Sequence, residues 1–183
     1  AATAGTATFS GLSLTGKIDT YTLTYSAPSV TDATQSISIT VGTAYKLAAT
    51  TNVPSTVVNR TNFSTQPIIE VQDISGNKIA DSTASVTAYL DGTAITGTIT
   101  VTAVNGVATF TNLGLQTKAG YHLIYYNSAG LYSAYSYFKV TPGTPTQVGI
   151  LRNANLAVTN SPLYYPSGPK VNVPIALATD GGW

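Results

Sequence analysis

The side chains able to do chemistry are few in this chain of 183 residues: one histidine, seven carboxylates and no cysteine. A nucleophilic triad needs its histidine beside an activated hydroxyl and an acid, and no spacing here gathers such a set around His122. In an extended strand alternate residues share a face, which groups Tyr121, Leu123 and Tyr125. His122 falls on the other face with Ile124 and Tyr126, and reads as a surface or interface residue. Calcium takes oxygen ligands, and the available groups are Asp73 with Asn77 and Asp81, or Asp91. No Asp-rich loop surrounds them, and single Asp residues of this kind are ordinary turn formers. The expectation is no catalytic residue, no metal ligand and no cofactor.

Two further sets are open to modification or contact. Asn59-Arg60-Thr61 and Asn62-Phe63-Ser64 are glycosylation sequons, with Asn59 and Asn62 expected on a solvent-facing loop. Of the 12 tyrosines, Tyr125, Tyr126, Tyr132, Tyr135 and Tyr137 cluster together, followed by Tyr164 and Tyr165. Aromatic rings with a polar tip are enriched at interfaces. Tyr126, Tyr132, Tyr135, Tyr164 and Tyr165 are read as facing another copy of the chain, with stacking on sugar rings as the alternative.

Composition limits what can position these residues. Charged residues make up 8% of the chain, against about 25% in ordinary domains. Thr, Ser and Tyr take their place and suit a pleated, half-buried surface. A net charge of +1 provides no basic field for nucleic acid. No apolar run approaches the roughly 18 residues of a membrane-spanning helix. Without Cys there is neither disulfide nor thiolate site, and a chain also lacking Met tolerates an oxidising exterior. The expected partners are other copies of the chain, end to end or side by side, with no nucleic acid and no membrane insertion.

The chain repeats itself. Gly5-Thr6-Ala7-Thr8-Phe9-Ser10-Gly11-Leu12-Ser13-Leu14 is answered by Gly106-Val107-Ala108-Thr109-Phe110-Thr111-Asn112-Leu113-Gly114-Leu115. Tyr21 to Tyr25 is matched with Tyr121 to Tyr125, and Ile39-Thr40-Val41-Gly42 with Val140-Thr141-Pro142-Gly143. At the other end, Gln66-Pro67-Ile68-Ile69-Glu70-Val71-Gln72-Asp73 is matched with Val173-Pro174-Ile175-Ala176-Leu177-Ala178-Thr179-Asp180. Residues 43–142 then form one complete unit of about 100 residues. Residues 1–42 read as the back half of a preceding unit and 143–183 as the front half of a following one. Such a frame fits a window from a longer repetitive chain, or a protomer whose halves neighbouring copies complete.

The complete unit reads as seven short strands: 45–49, 68–73, 86–90, 97–104, 107–111, 121–126 and 134–140. Turn signals separate them, the pattern of an immunoglobulin-like sandwich. Asn105-Gly106 marks a two-residue hairpin turn, where both positions need positive φ. Tyr121, like Tyr21 before it, opens a strand where a phenol can turn back onto upstream backbone as a tyrosine corner. No segment carries a helical period.

Gln66-Pro67-x-x-x-Val71-x-Asp73-x-x-Gly76-Asn77, followed by Asn105-Gly106-Val107-Ala108-Thr109-Phe110, resembles the bacterial Ig-like tandem repeats of large secreted surface and adhesin-type proteins. The resemblance spans the complete unit and both halves. It implies an all-β chain of tandem immunoglobulin-like β-sandwiches, and a non-enzymatic extracellular role in a surface layer, filament or adhesin stalk. The alternatives are a carbohydrate- or receptor-binding adhesion module and a phage or virion decoration domain.

Overall fold

Strand alternation decides the layers. In the strand Ala134–Thr141 the residues Ala134, Ser136, Phe138 and Val140 are buried while Tyr135, Tyr137 and Lys139 face solvent, the pattern of a sheet packed on one side. The computed structural model describes residues 3–90, 92, 94–145, 147–149 and 177–179, and among these there is no helix. The strands are β1 (Asp19–Tyr25), β2 (Ala33–Ile39), β3 (Lys46–Thr51), β4 (Thr56–Val58), β5 (Ile68–Gln72), β6 (Ser85–Leu90) and β7 (Ala94–Thr96). They continue with β8 (Thr100–Thr102), β9 (Val107–Thr109), β10 (Gly114–Gln116), β11 (Gly120–Asn127), β12 (Ala134–Thr141), β13 (Gln147–Gly149) and β14 (Leu177–Thr179).

Two sheets enclose one core, giving an all-β, sandwich-like body. One has the order β3-β5-β9 and the other β4-β12-β11-β6-β8, with β10-β7 as a separate ribbon. All pairings inside the two larger sheets are antiparallel except β4 with β12, which is parallel. Ile69, Val71 and Ala108 from the smaller sheet meet Val86, Ile124, Tyr126 and Phe138 from the larger. Phe110 and Leu113 from the segment after β9, and Leu115 from β10, close the core. Tyr126 is fully buried. Burial pushes its phenol up to about 12, with the Ser136 hydrogen bond pulling the other way. It is therefore a core residue and not the interface aromatic expected from the sequence.

The expected single strand over 97–104 is interrupted. Gly97 has φ +91, and a Cβ there would lie 2.1 Å from the carbonyl oxygen of Asn112, so the chain bends between β7 and β8. The strands β4, β7 and β10, of three residues each, are not among those expected from the sequence. At Asn105-Gly106, φ is 51 and 75, and Val104 and Val107 exchange two backbone hydrogen bonds of 2.9 and 3.0 Å. This is the two-residue turn with both central residues left-handed.

Two ladders recur elsewhere with the same register. Shifting β1–β2 by 101 positions, so that Asp19↔Ile39 becomes Gly120↔Val140 and Tyr25↔Ala33 becomes Tyr126↔Ala134, reproduces β11–β12 pair for pair. The lead-in follows the same shift. Ala4 and Gly5 have φ 50 and 80, and Thr3 and Thr6 exchange backbone bonds as Val104 and Val107 do. The ring pair Phe9–Tyr25, 5.3 Å apart and tilted 41°, stands where Phe110–Tyr126 are 5.9 Å apart and tilted 43°. Farther along, Gln147↔Thr179, Val148↔Ala178 and Gly149↔Leu177 pair as Lys46↔Gln72, Leu47↔Val71 and Ala48↔Glu70 do.

This shift corrects the alignment of Tyr21 with Tyr121. The Tyr21 hydroxyl donates to the Lys17 carbonyl oxygen at 3.0 Å. The residue in that place 101 positions on is His122, whose Nε2 lies 2.9 Å from the Lys118 carbonyl oxygen and whose ring stacks on Phe138 at 6.2 Å. Tyr121 points outward and is 66% exposed, so it forms no corner. Reading the strand by its first aromatic put the match one residue out, and the corner position is held by imidazole.

Candidate functional site at the Asp73–Asn77 loop

The loop after β5 builds a buried polar cluster. Asp73-Ile74-Ser75-Gly76-Asn77 ends the strand in a turn closed by Gly76 N to Asp73 O at 3.1 Å and Asp73 N to Asn77 O at 2.9 Å. Asp73 and Asn77 are both buried, and a buried polar group needs its partners made good. The Asp73 carboxylate accepts from Asn77 N at 2.8 Å on Oδ1, and from Asn77 Nδ2 at 2.9 Å and Gly42 N at 3.0 Å on Oδ2.

Asn77 then reaches across to the first hairpin. Its Nδ2 donates to Gly16 O at 3.0 Å and its Oδ1 accepts from Ile18 N at 3.0 Å. The carboxamide thus offers one donor and one acceptor to alternate backbone groups, as a neighbouring strand would. Only this orientation of the amide satisfies both contacts. Lys17 Nζ adds a bond of 2.7 Å to Gly76 O. The loop therefore fastens both the connection at Gly42 and the lead-in to β1 onto the body formed by β3–β12.

The arrangement explains the charge state of Asp73. Burial raises its pKa, but the hydrogen bonds from the Asn77 side chain and from the backbone of Asn77, Gly42 and Ser75 outweigh this and hold it at about 2. Both oxygens are engaged by N–H donors, so the carboxylate works as a hydrogen-bond acceptor at the turn. Asp81 is exposed and makes no part of this cluster, and Asp91 lies outside the described residues. A carboxyl with a depressed folded pKa stabilises above its ordinary value of 3.8 and loses that contribution as pH falls toward about 2. Melting temperature is expected to drop across this window, and Asp73→Asn to flatten that part of the profile. Thermal melts followed by circular dichroism at stepped pH check this.

The remaining sequence candidates are placed as follows. Asn59 is 1% exposed, and its Oδ1 accepts from Thr117 N at 2.9 Å. This corrects its expected role as a glycan acceptor, because the amide bonds a strand-connecting backbone inside the protein. Asn62 is exposed. Tyr132 rests on Tyr45 of the same body at 4.9 Å, and its hydrogen bond raises the Tyr45 phenol. Tyr135 faces solvent from β12, whereas Tyr164 and Tyr165 lie outside the described residues. The role of Gln66 escaped sequence reading. Its carboxamide donates to Phe63 O and Leu113 O and accepts from Leu113 N, all within 3.0 Å. A Gln just before an apolar strand was the only signal for it.

No protein-family model and no curated protein matches the chain. Among solved structures it is similar to part of a β-glycosidase from Bacteroides vulgatus, at 12% identity and a TM-score of 0.46, over 58% of this chain and 15% of that one. A Parabacteroides merdae β-glucuronidase aligns at 15% identity and a TM-score of 0.39, over 60% and 15% of the two chains. The same enzyme with glycerol in its active site gives 15%, 0.40, 61% and 14%. The chain thus spans about one seventh of these proteins, and the likeness carries no inference about activity.

Proposed function

We propose that the chain is a non-enzymatic structural repeat protein of the cell exterior, built from immunoglobulin-like sandwiches stacked end to end. Residues 43–142 are one complete sandwich, 1–42 the back half of its predecessor, and 143–183 the front half of its successor. The observation that carries this reading is the pair of ladders repeated in register, β1–β2 as β11–β12 and β13–β14 as β3–β5. Random resemblance does not preserve strand register, because a slip of one residue turns every side chain to the wrong face.

In this reading the Asp73–Asn77 loop is the joint. Repeat arrays behave as rods when neighbouring units meet at a fixed angle, and Gly16, Ile18, Gly42, Asp73 and Asn77 supply such a fixed contact. The low charge of the chain removes repulsion between copies. Adhesin stalks, filaments and surface layers all use this mechanical property. Small-angle scattering tests it. A rigid joint predicts a distance distribution matching one fixed placement of the β1–β2 hairpin against the β3–β12 body at both low and high salt. A distribution needing a broad set of placements overturns it.

A further inference from the structure

The outer face of the larger sheet is built of tyrosine. On β11 and β12 the outward pairs are Tyr121↔Lys139, Leu123↔Tyr137 and Tyr125↔Tyr135, with Tyr89 of β6 beside Tyr125. Exposure of the five rings runs from 37% for Tyr125 to 66% for Tyr121. Tyr121 and Tyr137 lie parallel, 5.4 Å apart with planes 5° off.

The first hairpin shows that the fold does not ask for them. Its outward pairs in the same register are Thr20↔Ser38, Thr22↔Ser36 and Thr24↔Thr34. Every large side chain on the outer face of β11–β12 is a small hydroxyl residue on that of β1–β2. On the inward side, by contrast, Leu23, Tyr25, Ile37 and Ile39 stand where Ile124, Tyr126, Phe138 and Val140 do. Selection for sheet formation alone gives no reason for this difference between two ladders of one register.

We infer that this face binds a second copy of the chain, side by side, with the two sheet faces packed against each other about a two-fold axis. The inference rests on the structural-repeat reading and names the surface through which its rods pair. Two observations choose a copy as the occupant. At roughly 200 Å² per tyrosine side chain, the exposed parts of five rings offer about 500 Å², and the flanking Leu123 and Thr87 extend this toward the roughly 800 Å² per partner of a stable interface. Lys139 is the one charge among these pairs, and its Nζ sits 5.8 Å over the centre of the Tyr121 ring. Its ammonium is thus taken up by a ring of the same chain, and among the described residues these outward positions carry no carboxylate that would call for a basic partner. Tyr rings pack at low entropic cost because only two torsions must be fixed.

The test is sedimentation equilibrium of the full chain over a wide concentration range. The wild type is expected to pair reversibly. Tyr121→Thr, Tyr125→Thr and Tyr137→Thr together install residues of the kind the first hairpin carries at matching positions, and are expected to weaken pairing about 30-fold or more. Tyr137→Arg, a single exposed change that sets like charges against each other, is expected to do the same if the triple variant melts early. A wild type that stays single throughout, or a pair that survives both variants, overturns the inference. So does a face that binds soluble polysaccharide while the chain stays single. None of these variants touches Asp73 or Asn77, so lateral pairing and the rigid joint fail separately.

Discussion

Phe110→Ala is expected to cost about 3–5 kcal/mol of unfolding free energy, whereas Phe9→Ala is expected to change it by less than about 0.5 kcal/mol. The two phenylalanines occupy the same place in the lead-ins to two ladders of one register, each against a tyrosine ring. They differ in what lies on the other side. Phe110 is 1% exposed in the core between the two sheets, and Phe9 is 59% exposed. Removing the first opens a cavity in a packed core, where the surroundings relax only in part. Removing the second takes away one ring contact that water already borders. Urea unfolding followed by circular dichroism gives both numbers. Equal costs would mean that the first hairpin is covered in solution by something other than the strands described.

Asn77→Ala is expected to release the first hairpin from the body. The change deletes the donor to Gly16 O and the acceptor for Ile18 N, and it removes one of the donors to Asp73 Oδ2. Water can replace the contacts at Gly16 and Ile18 once the hairpin swings away, so the loss is chiefly of orientation. A tether weakened by about 1.4 kcal/mol, a typical value for such bonds, makes the Ile18 amide exchange about tenfold faster. Exchange in β6 and β11 should stay as it was, because their ladder bonds do not pass through Asn77. Hydrogen exchange read residue by residue separates these outcomes. An Ile18 amide unaffected by Asn77→Ala would show that the joint is held elsewhere.

Sequence reading reached the body of the fold for a physical reason. Alternation in 86–90, 121–126 and 134–140 and the positive-φ demand of Asn105-Gly106 are local signals, and the strands β6, β11 and β12 stand where they point. Signals that depend on tertiary contact were lost. The break at Gly97 exists because the Asn112 carbonyl approaches it, a neighbour fifteen residues away. Asn59 looks like a surface sequon until the chain from Thr117 folds over it. The match of Tyr21 to Tyr121 failed because aromatic identity was followed where register should have been, and His122 does not look like a tyrosine. Asp73 and Asn77 were legible as a pair but not as a joint, since their partners at Gly16, Ile18 and Gly42 lie 31 to 61 residues distant.

The apolar side of β1–β2 is where the account is most exposed. Phe9, Leu12 and Leu14 are exposed there, although their counterparts Phe110, Leu113 and Leu115 are buried, and Leu12, Leu14, Leu23 and Ile37 line a shallow apolar depression. If the hairpin is half of a sandwich, the front-half strands of the complete unit should fit it. The direct measurement joins a second copy of residues 43–103 ahead of Thr3 and follows amide exchange in β1. Protection rising to the level of β11, together with a Phe9→Ala cost rising to that of Phe110→Ala, is the predicted result. A hairpin that exchanges as fast with the added strands as without them would contradict the repeat.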